Sequence, residues 1–386
     1  MTGAATAVAI CCAVAVLEGW DIQAIGLTAG KIGPALHLAR SQMALVFAAS
    51  NAGLFVGAGA GGWIADRVGR KPVLIAAVAI FGLFTVATAL AQTYPVMLAV
   101  RVLTGLGLGA AMPNLIAIAS DLTPPSRRGA TTALMFCGMP LGGAAAALFT
   151  AGLPRDYDYR LVFLIGGLLP LVLAPLAAWL LRETRAAAAP TERLAAGNAL
   201  FGEGRLPATL LLWTIQVPTL LIVYLMVNWL PTLVGGKGLG PAAGPQAAVL
   251  WNLGGIAGAL ALARLADRQG PRWVLTPAFL ALVVAMIGLS SAQGLGPVLA
   301  MSALVGVFSL GSQYAVYGLV PAYYPPAGRG TGAGAAVAAG RFGSILGPIV
   351  GGMIPQGQVL TGLAPLAGLA AAALFALTLF ARPRTD

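Results

Sequence analysis

Twelve membrane-spanning helices in two pseudo-symmetric six-helix bundles are the fold this sequence predicts: an all-α polytopic membrane protein. Three observations predict it. The chain of 386 residues is 59% hydrophobic and only 9% charged, and its mean hydropathy of +0.90 lies outside the range of soluble domains. Its apolar residues gather into stretches near the roughly 20 residues that cross a hydrocarbon layer. Three short motifs also recur at a single offset of 201 residues: Ala65-Asp66-Arg67 as Ala266-Asp267-Arg268, Pro124-Pro125 as Pro325-Pro326, and Arg128-Gly129 as Arg329-Gly330.

The spans are expected at 5–30, 42–65, 72–92, 94–119, 128–152, 159–182, 207–233, 243–266, 272–292, 295–320, 329–353 and 357–381, with breaks at Gly, Pro and charge. Lys31 closes the first. Asp66 to Lys71 separates the second from the third, and Asp121 to Arg128 the fourth from the fifth. Arg155 precedes the sixth and Arg160 opens it. The longest polar stretch, Arg182 to Leu206, divides the spans six and six. This gives an N-terminal bundle over 1–182, a cytoplasmic linker over 183–206 and a C-terminal bundle over 207–386. The same loop landmarks return in the second half, at Asp267, Arg272 and Arg329. Parallel repeats of this kind are expected to hold substrate between the halves.

With both termini placed in the cytoplasm, fifteen Lys and Arg fall on the cytoplasmic side and five, Lys31, Arg40, Arg155, Arg160 and Lys237, on the other. The positive-inside rule selects that orientation, and the net charge of +11 is then a topology signal and not a nucleic-acid surface. No Lys or Arg precedes Lys31, so the first span is expected to be retained and not cleaved as a signal peptide. Cys11, Cys12 and Cys137 lie in spans without metal-ligand spacing and read as small apolar filler. His37, the single histidine, reads as a solvated loop residue. With one His and no clustered Cys, neither a cofactor, a metal site nor an enzyme is expected.

Four charged residues remain inside spans, where a lone charge costs roughly 3 kcal/mol or more and marks an ion or substrate path. Glu18 and Asp21, in Glu18-Gly19-Trp20-Asp21, are spaced to share one helix face. Arg101 lies at a depth comparable to Asp21, which makes it either a partner for these carboxylates or a snorkelling arginine. Arg341 falls about 18 Å along its span from Arg329, and its guanidinium fork suits a carboxylate. It is a candidate for binding an anionic substrate or for a structural pair with Glu18 or Asp21. Gln23, Asn51, Asn114, Gln216, Tyr224, Asn228, Trp229, Asn252, Gln313, Tyr314 and Tyr317 form the polar set within spans that needs partners. Trp229, Tyr314 and Tyr317 suit ring stacking or interface anchoring.

The loop after the second span, Gly62-Trp63-Ile64-Ala65-Asp66-Arg67-Val68-Gly69-Arg70-Lys71, resembles the signature of the major facilitator superfamily. Gly69 permits a tight turn and Asp66 is expected to accept amides at a helix N-terminus. The resemblance implies a charge latch for the outward-open state, built from Gly62, Asp66, Arg67, Gly69, Arg70, Lys71 and Asp121. The second copy, at Asp267 and Arg268, has Ala263 for the first Gly and Pro271 within the basic pair, and is expected to latch more weakly. Arg101-Val102-Leu103-Thr104-Gly105-Leu106-Gly107 resembles a second signature of the superfamily, and its glycines are expected to serve close helix packing.

Glu18-Gly19-Trp20-Asp21 resembles the Asp-Gly-x-Asp of aromatic acid/proton symporters, departing at its first acid. With Pro113-Asn114, Asn228-Trp229-Leu230-Pro231, Gly340-Arg341-Phe342-Gly343 and Gly347-Pro348, the chain is similar to bacterial hydroxyphenylpropionate transporters over nearly its whole length. The resemblance implies proton-coupled uptake of an aromatic carboxylic acid, such as a hydroxyphenylpropionate or benzoate, by a monomer in the bacterial cytoplasmic membrane. Asp21, Glu18 and Arg101 would carry proton coupling. Arg341, Gln23, Asn114, Asn228, Trp229, Gln313, Tyr314 and Tyr317 would bind substrate. A proton-driven exporter on the same fold is the alternative, weakened because Gly138-Met139-Pro140-Leu141-Gly142-Gly143 replaces the Gly-Pro-x-x-Gly-Gly expected of exporters in the fifth span. A passive pore is disfavoured, since a repeat and a loop latch suit alternating access.

Overall fold

A computed structural model of the chain describes residues 4–123, 128–181, 183 and 195–381. Pro124, Pro125, Arg127, Arg182, Arg185, Arg193, Arg382 and Arg384, with most of the expected linker, lie outside the described residues. Among those described, twelve helices are long and apolar enough to cross a membrane. They are α1 (Ala4–Ala35), α2 (Arg40–Val68), α3 (Arg70–Leu90), α4 (Tyr94–Asp121), α5 (Arg128–Ala151), α6 (Arg160–Leu180), α8 (Leu206–Gly235), α9 (Ala243–Gln269), α10 (Pro271–Ser291), α11 (Leu295–Leu319), α12 (Arg329–Met353) and α13 (Val359–Phe380). A short helix, α7 (Ala196–Phe201), precedes α8. Helices are the expected solution, because the hydrocarbon layer leaves no other partner for backbone N–H and C=O groups.

Several helices outrun their apolar stretches. The 32 residues of α1 rise about 48 Å at 1.5 Å each, more than the hydrocarbon thickness of about 30 Å. Lys31, expected in a loop, is therefore helical. The helix closes at His37, whose φ of 51° is the left-handed turn that Gly favours at a helix end, with the Leu38 amide reaching back to the Gly33 carbonyl at 2.8 Å. Gly69, at φ 101° between α2 and α3, and Gly270, at φ 88° between α9 and α10, make the corresponding tight turns of the two halves.

The chain divides into two compact units, Met1–Ala188 with Gly240–Val249, and Ala189–Leu239 with Leu250–Asp386. The side chains at the two ends of the expected 183–206 linker belong to different units. Glu183 accepts the Lys71 amide at 3.3 Å in the first. Arg205 is buried in the second, where its Nε donates to the Ala199 carbonyl at 3.0 Å and its Nη1 to Glu203 at 2.8 Å. Thr209 Oγ1 adds a bond to the Leu200 carbonyl at 2.7 Å, so α7 is tied to the start of α8.

The repeat is physical. In the first unit a Cβ on Gly142 of α5 would strike the Val16 carbonyl of α1, and in the second a Cβ on Gly343 of α12 would strike the Val217 carbonyl of α8. Both members of the contact shift by 201 residues (343 − 142 and 217 − 16). The same holds for Gly53 against Val102 and Gly254 against Ala303, for Gly57 against Leu106 and Gly258 against Val307, and for Gly105 against Ser50 and Gly306 against Trp251. Small residues let these backbones approach as membrane helices require, where lipid supplies no hydrophobic drive between helices.

Gly142→Ala and Gly343→Ala are each expected to lower stability in detergent by about 1–3 kcal/mol, since a methyl against a backbone carbonyl must move a helix. Gly59→Ala in α2, with nothing within 4 Å of the new methyl, is expected instead to stabilise by up to about 1 kcal/mol through helix propensity. Thermal denaturation of the three purified variants checks the contrast.

A further correspondence lies at the ends of α1 and α8. Lys31 Nζ donates to the Arg155 carbonyl at 2.9 Å and stands 4.3 Å from the centre of the Tyr157 ring. Burial pushes the Tyr157 phenol up to about 12, so the ring stays neutral under the ammonium. Gln356 Nε2 donates to the Thr232 carbonyl, also at 2.9 Å. Thr232 and Gln356 follow Lys31 and Arg155 by 201 residues, with the donor now on the other strand of the tie.

Candidate functional site

In the first unit, the residues of Glu18-Gly19-Trp20-Asp21 leave α1 in different directions. Gly19 backs onto the Met139 backbone of α5, where any Cβ would collide. Trp20 Nε1 donates to the Val162 carbonyl of α6 at 3.1 Å. Asp21 faces α3 and α4. Arg101 Nη1 and Nη2 donate to its Oδ1 and Oδ2 at 3.2 and 3.1 Å, and Thr85 Oγ1 donates to Oδ1 at 2.6 Å. Arg101 Nε donates to Ser50 Oγ of α2 at 2.8 Å. Asp21 and Arg101 are both 0% exposed, so this network joins four helices with neither charge reaching solvent. Glu18 is buried one turn away.

A fork-to-fork pair of this kind is the strong form of the carboxylate–guanidinium bond. Its burial is costly in itself, and breaking it by removing one partner costs about 3–5 kcal/mol, because a naked charge remains. Asp21 is thus engaged inside its own unit, so of the pairings open in the sequence the structure places it with Arg101, which is a partner and not a snorkelling residue. Gln23, Asn51 and Asn114 are buried in the same unit, and Asn114 Nδ2 donates to the Ala110 carbonyl of its own helix at 2.8 Å.

The glycines of the α4 signature separate by face. Gly105 and Gly109 abut the α2 backbone at Ser50 and Leu54, and Gly107 abuts α3 at Ala77 and Phe81. Together they bring Ser50 within reach of Arg101. Neither Ser50 nor Thr85 stood out in the sequence, because a hydroxyl in a helix ordinarily bonds its own backbone, as Thr104 does with the Val100 carbonyl at 2.8 Å.

In the second unit, Arg341 of α12 is half-buried, and its Nη1 donates to the Tyr224 hydroxyl of α8 at 2.8 Å. Tyr317 of α11 is hydrogen-bonded to Gln313 and lies within electrostatic reach of Arg341 and Tyr224. Gln313 Nε2 in turn donates to Gln216 Oε1 of α8 at 3.0 Å. A cation, two phenols and two amides thus form one connected group on three helices. Gly340 and Gly343 flank Arg341 and set α12 against Leu220 and Val217 of α8, while Phe342 between them points outward, 57% exposed.

Two further candidates of this unit make contacts within it. Trp229, offered for ring stacking, is buried, donates from Nε1 to the Pro348 carbonyl at 2.9 Å and abuts Gly351. Its polar edge bonds across the α8–α12 seam. Asn228 Nδ2 is likewise taken by the Tyr224 carbonyl at 2.7 Å, which leaves its oxygen for other contacts. Tyr314 is half-buried and Asn252 buried.

At the α2–α3 turn, Arg70 Nη1 is ion-paired with Asp121 Oδ2, and the Arg67 guanidinium stacks 3.4 Å from the centre of the Trp63 ring. Asp66 does not take a helix N-terminus. It lies exposed in the last turn of α2, and the Lys71 amide at the start of α3 goes to Glu183. The Glu183 carboxylate lies over Gly69, within 3.0 Å of where a Cβ would stand, which is a second reason for Gly there besides its φ. Gly62 has open space around it, so packing does not demand it. In the second copy Asp267 and Arg268 are exposed in the last turn of α9. Arg272, which follows Lys71 by 201 residues, stands 4.1 Å from the Phe375 ring centre and 5.1 Å from that of Trp273.

Comparison with known proteins places these features. Residues 11–348 match the family model described as Major Facilitator Superfamily. The chain is 38% identical over 379 residues to the 3-(3-hydroxy-phenyl)propionate transporter of Escherichia coli (strain K12), covering 97% of this chain and 94% of that one. It is 34% identical over 408 residues to the 4-hydroxybenzoate transporter PcaK of Pseudomonas aeruginosa, covering 95% and 91%. In structure it is similar to the inward open xylose transporter XylE from E. coli, with a TM-score of 0.79 and 16% identity over 99% of this chain and 97% of that one, a likeness of fold.

Proposed function

We propose that this chain, which belongs to the Major Facilitator Superfamily, takes up an aromatic carboxylic acid together with protons by alternating access. It is a multi-pass membrane transporter and not an enzyme. The observation that carries the substrate reading is the Arg341 group. A guanidinium inside a membrane helix, steadied by the Tyr224 hydroxyl and within electrostatic reach of Tyr317, offers a carboxylate two parallel donors and an aromatic ring the phenols of this group. The named substrates of the two relatives, a hydroxyphenylpropionate and a hydroxybenzoate, each carry one carboxylate and one ring.

The proton path is assigned to Asp21, Glu18 and Arg101. A proton on Asp21 and the two Arg101 bonds to Asp21 compete for the same oxygens, so protonation loosens the pair and frees the guanidinium. Ser50 and Thr85 keep both groups hydrogen-bonded as that exchange occurs. The Arg70–Asp121 pair and the Glu183 contact are assigned to a cytoplasmic latch, and the excess of Lys and Arg in those loops supports cytoplasmic termini. The chain is proposed to act as a monomer in the cytoplasmic membrane of a bacterium.

Reconstitution into vesicles with an inward acid-to-alkaline gradient tests the reading. Radiolabelled hydroxyphenylpropionate or benzoate is expected to accumulate above its outside concentration and to leak back when a protonophore collapses the gradient. Equilibration without accumulation would sink proton coupling, and export against an outward gradient would reverse the direction.

A further inference from the structure

The geometry points to the turn between α9 and α10 as a seat for the headgroup of an anionic phospholipid. This turn is the second copy of the α2–α3 turn, 201 residues on, and it keeps cations of the first copy without the acids that neutralise them. In the first unit Asp121 pairs with Arg70, while Glu183 covers Gly69 and accepts the Lys71 amide. The residues 201 positions after Asp121 and Glu183 are Ala322 and Arg384. Gly270, the counterpart of Gly69, has nothing within 4 Å of where a Cβ would stand. Arg264, Arg268 and Arg272 nonetheless gather around this turn, with Asp267 the single acid between them. Among the described residues none of the three arginines is in an ion pair.

Arg272 is held in place without being neutralised. Its guanidinium stands 4.1 Å from the ring centre of Phe375 in α13 and 5.1 Å from that of Trp273, and an aromatic face attracts a cation while leaving its charge intact. Of its three nitrogens only Nε is shut in without a hydrogen-bond partner, so the two Nη atoms stay open as a fork that fits a phosphate. Trp273 sets the depth of that fork. It is 68% exposed and heads the outward stripe of α10 that continues through Leu280, Val284 and Ile287, all exposed. This is one face of the helix, the face that lipid covers, and a Trp at the end of such a face lies at headgroup level. Arg264 and Arg268, exposed one turn apart at the end of α9, extend the positive surface, and each cation near a membrane surface strengthens binding of anionic lipid about fivefold. A lipid matches both parts of the seat, its phosphate on the arginines and its chains on the apolar stripe, where a soluble anion matches only the first.

The test titrates the full-length protein in detergent with palmitoyl-oleoyl phosphatidylglycerol and with its phosphatidylcholine analogue, and counts bound lipid by native mass spectrometry. The wild-type protein is expected to bind the anionic lipid at least about tenfold more tightly than the zwitterionic one. Arg272→Gln is expected to bring that ratio to within about threefold, and the double variant Arg264→Gln, Arg268→Gln, at exposed positions, to lower it by about fivefold or more. Arg160→Gln, which removes a charge at the start of α6, is expected to leave it unchanged. Equal wild-type affinity for the two lipids overturns the inference, as does an Arg272→Gln variant that keeps the wild-type ratio. A loss as large from Arg160→Gln overturns it too, because the preference would then belong to net charge and not to this turn. Displacement of the anionic lipid by inorganic phosphate at about millimolar concentration would make the seat a soluble-anion site and overturn the lipid assignment. If Arg272→Gln does not fold, the double variant decides.

Discussion

Asp21→Asn is expected to abolish pH-driven accumulation of the acid in reconstituted vesicles and to destabilise the protein by about 3–5 kcal/mol. The two effects have one origin. Asn preserves the shape and still accepts from Thr85, but it leaves the Arg101 guanidinium, 0% exposed, facing an amide in place of the carboxylate that holds it at 3.1 and 3.2 Å. An uncompensated buried charge is among the costliest point changes a protein meets. The double variant Asp21→Asn, Arg101→Met removes both charges and is expected to recover much of the stability, measured by thermal denaturation, while transport stays lost. That split separates coupling from structure. Wild-type accumulation by Asp21→Asn would remove Asp21 from the proton path.

Arg341→Lys is expected to weaken binding of the acid by about 100-fold despite the retained charge. Lysine offers a point charge where the guanidinium offers a planar pair of donors, and its ammonium cannot both meet a carboxylate fork-to-fork and keep the bond to Tyr224 now made by Nη1. Titration of the purified variant with the acid measures the loss. Arg341 is half-buried, so the change is expected to leave the melting temperature within a few degrees of wild type. An unchanged affinity would mark Arg341 as structural. A loss of binding accompanied by a large fall in melting temperature would assign it to packing as well.

Much of the first site is legible in the sequence. Two carboxylates and one arginine at matching depth in two spans have few partners other than one another, so Arg101 stood as a candidate partner for Glu18 and Asp21 before any coordinates, with Arg341 and a snorkelling arginine as the alternatives. Their supports could not. Thr85 and Ser50 look like any helical hydroxyl, and only the rotation of α3 and the glycine-mediated approach of α2 to α4 turn them toward the ion pair. Glu183 was hidden for another reason. It begins a polar stretch that reads as solvated, and its contact at Gly69 and Lys71 closes a loop of 112 residues. In the sequence Trp229, beside Asn228 and Pro231, reads equally well as a lining or a packing residue, and its contact with Gly351, far along the chain, could not be read there.

The number of spans, their order, the repeat and its 201-residue offset follow from the chain alone, because insertion into lipid is decided segment by segment through apolar length and internal backbone hydrogen bonding. Which face each helix turns to its neighbours follows from contacts between distant segments. The Gly142–Val16 and Gly343–Val217 approaches, the choice of Arg101 as partner to Asp21, and the joining of Arg341, Tyr224, Tyr317 and the two glutamines are of this kind. A helix with apolar residues on every side carries no periodic signal for its own rotation, so only close packing against another backbone could select it.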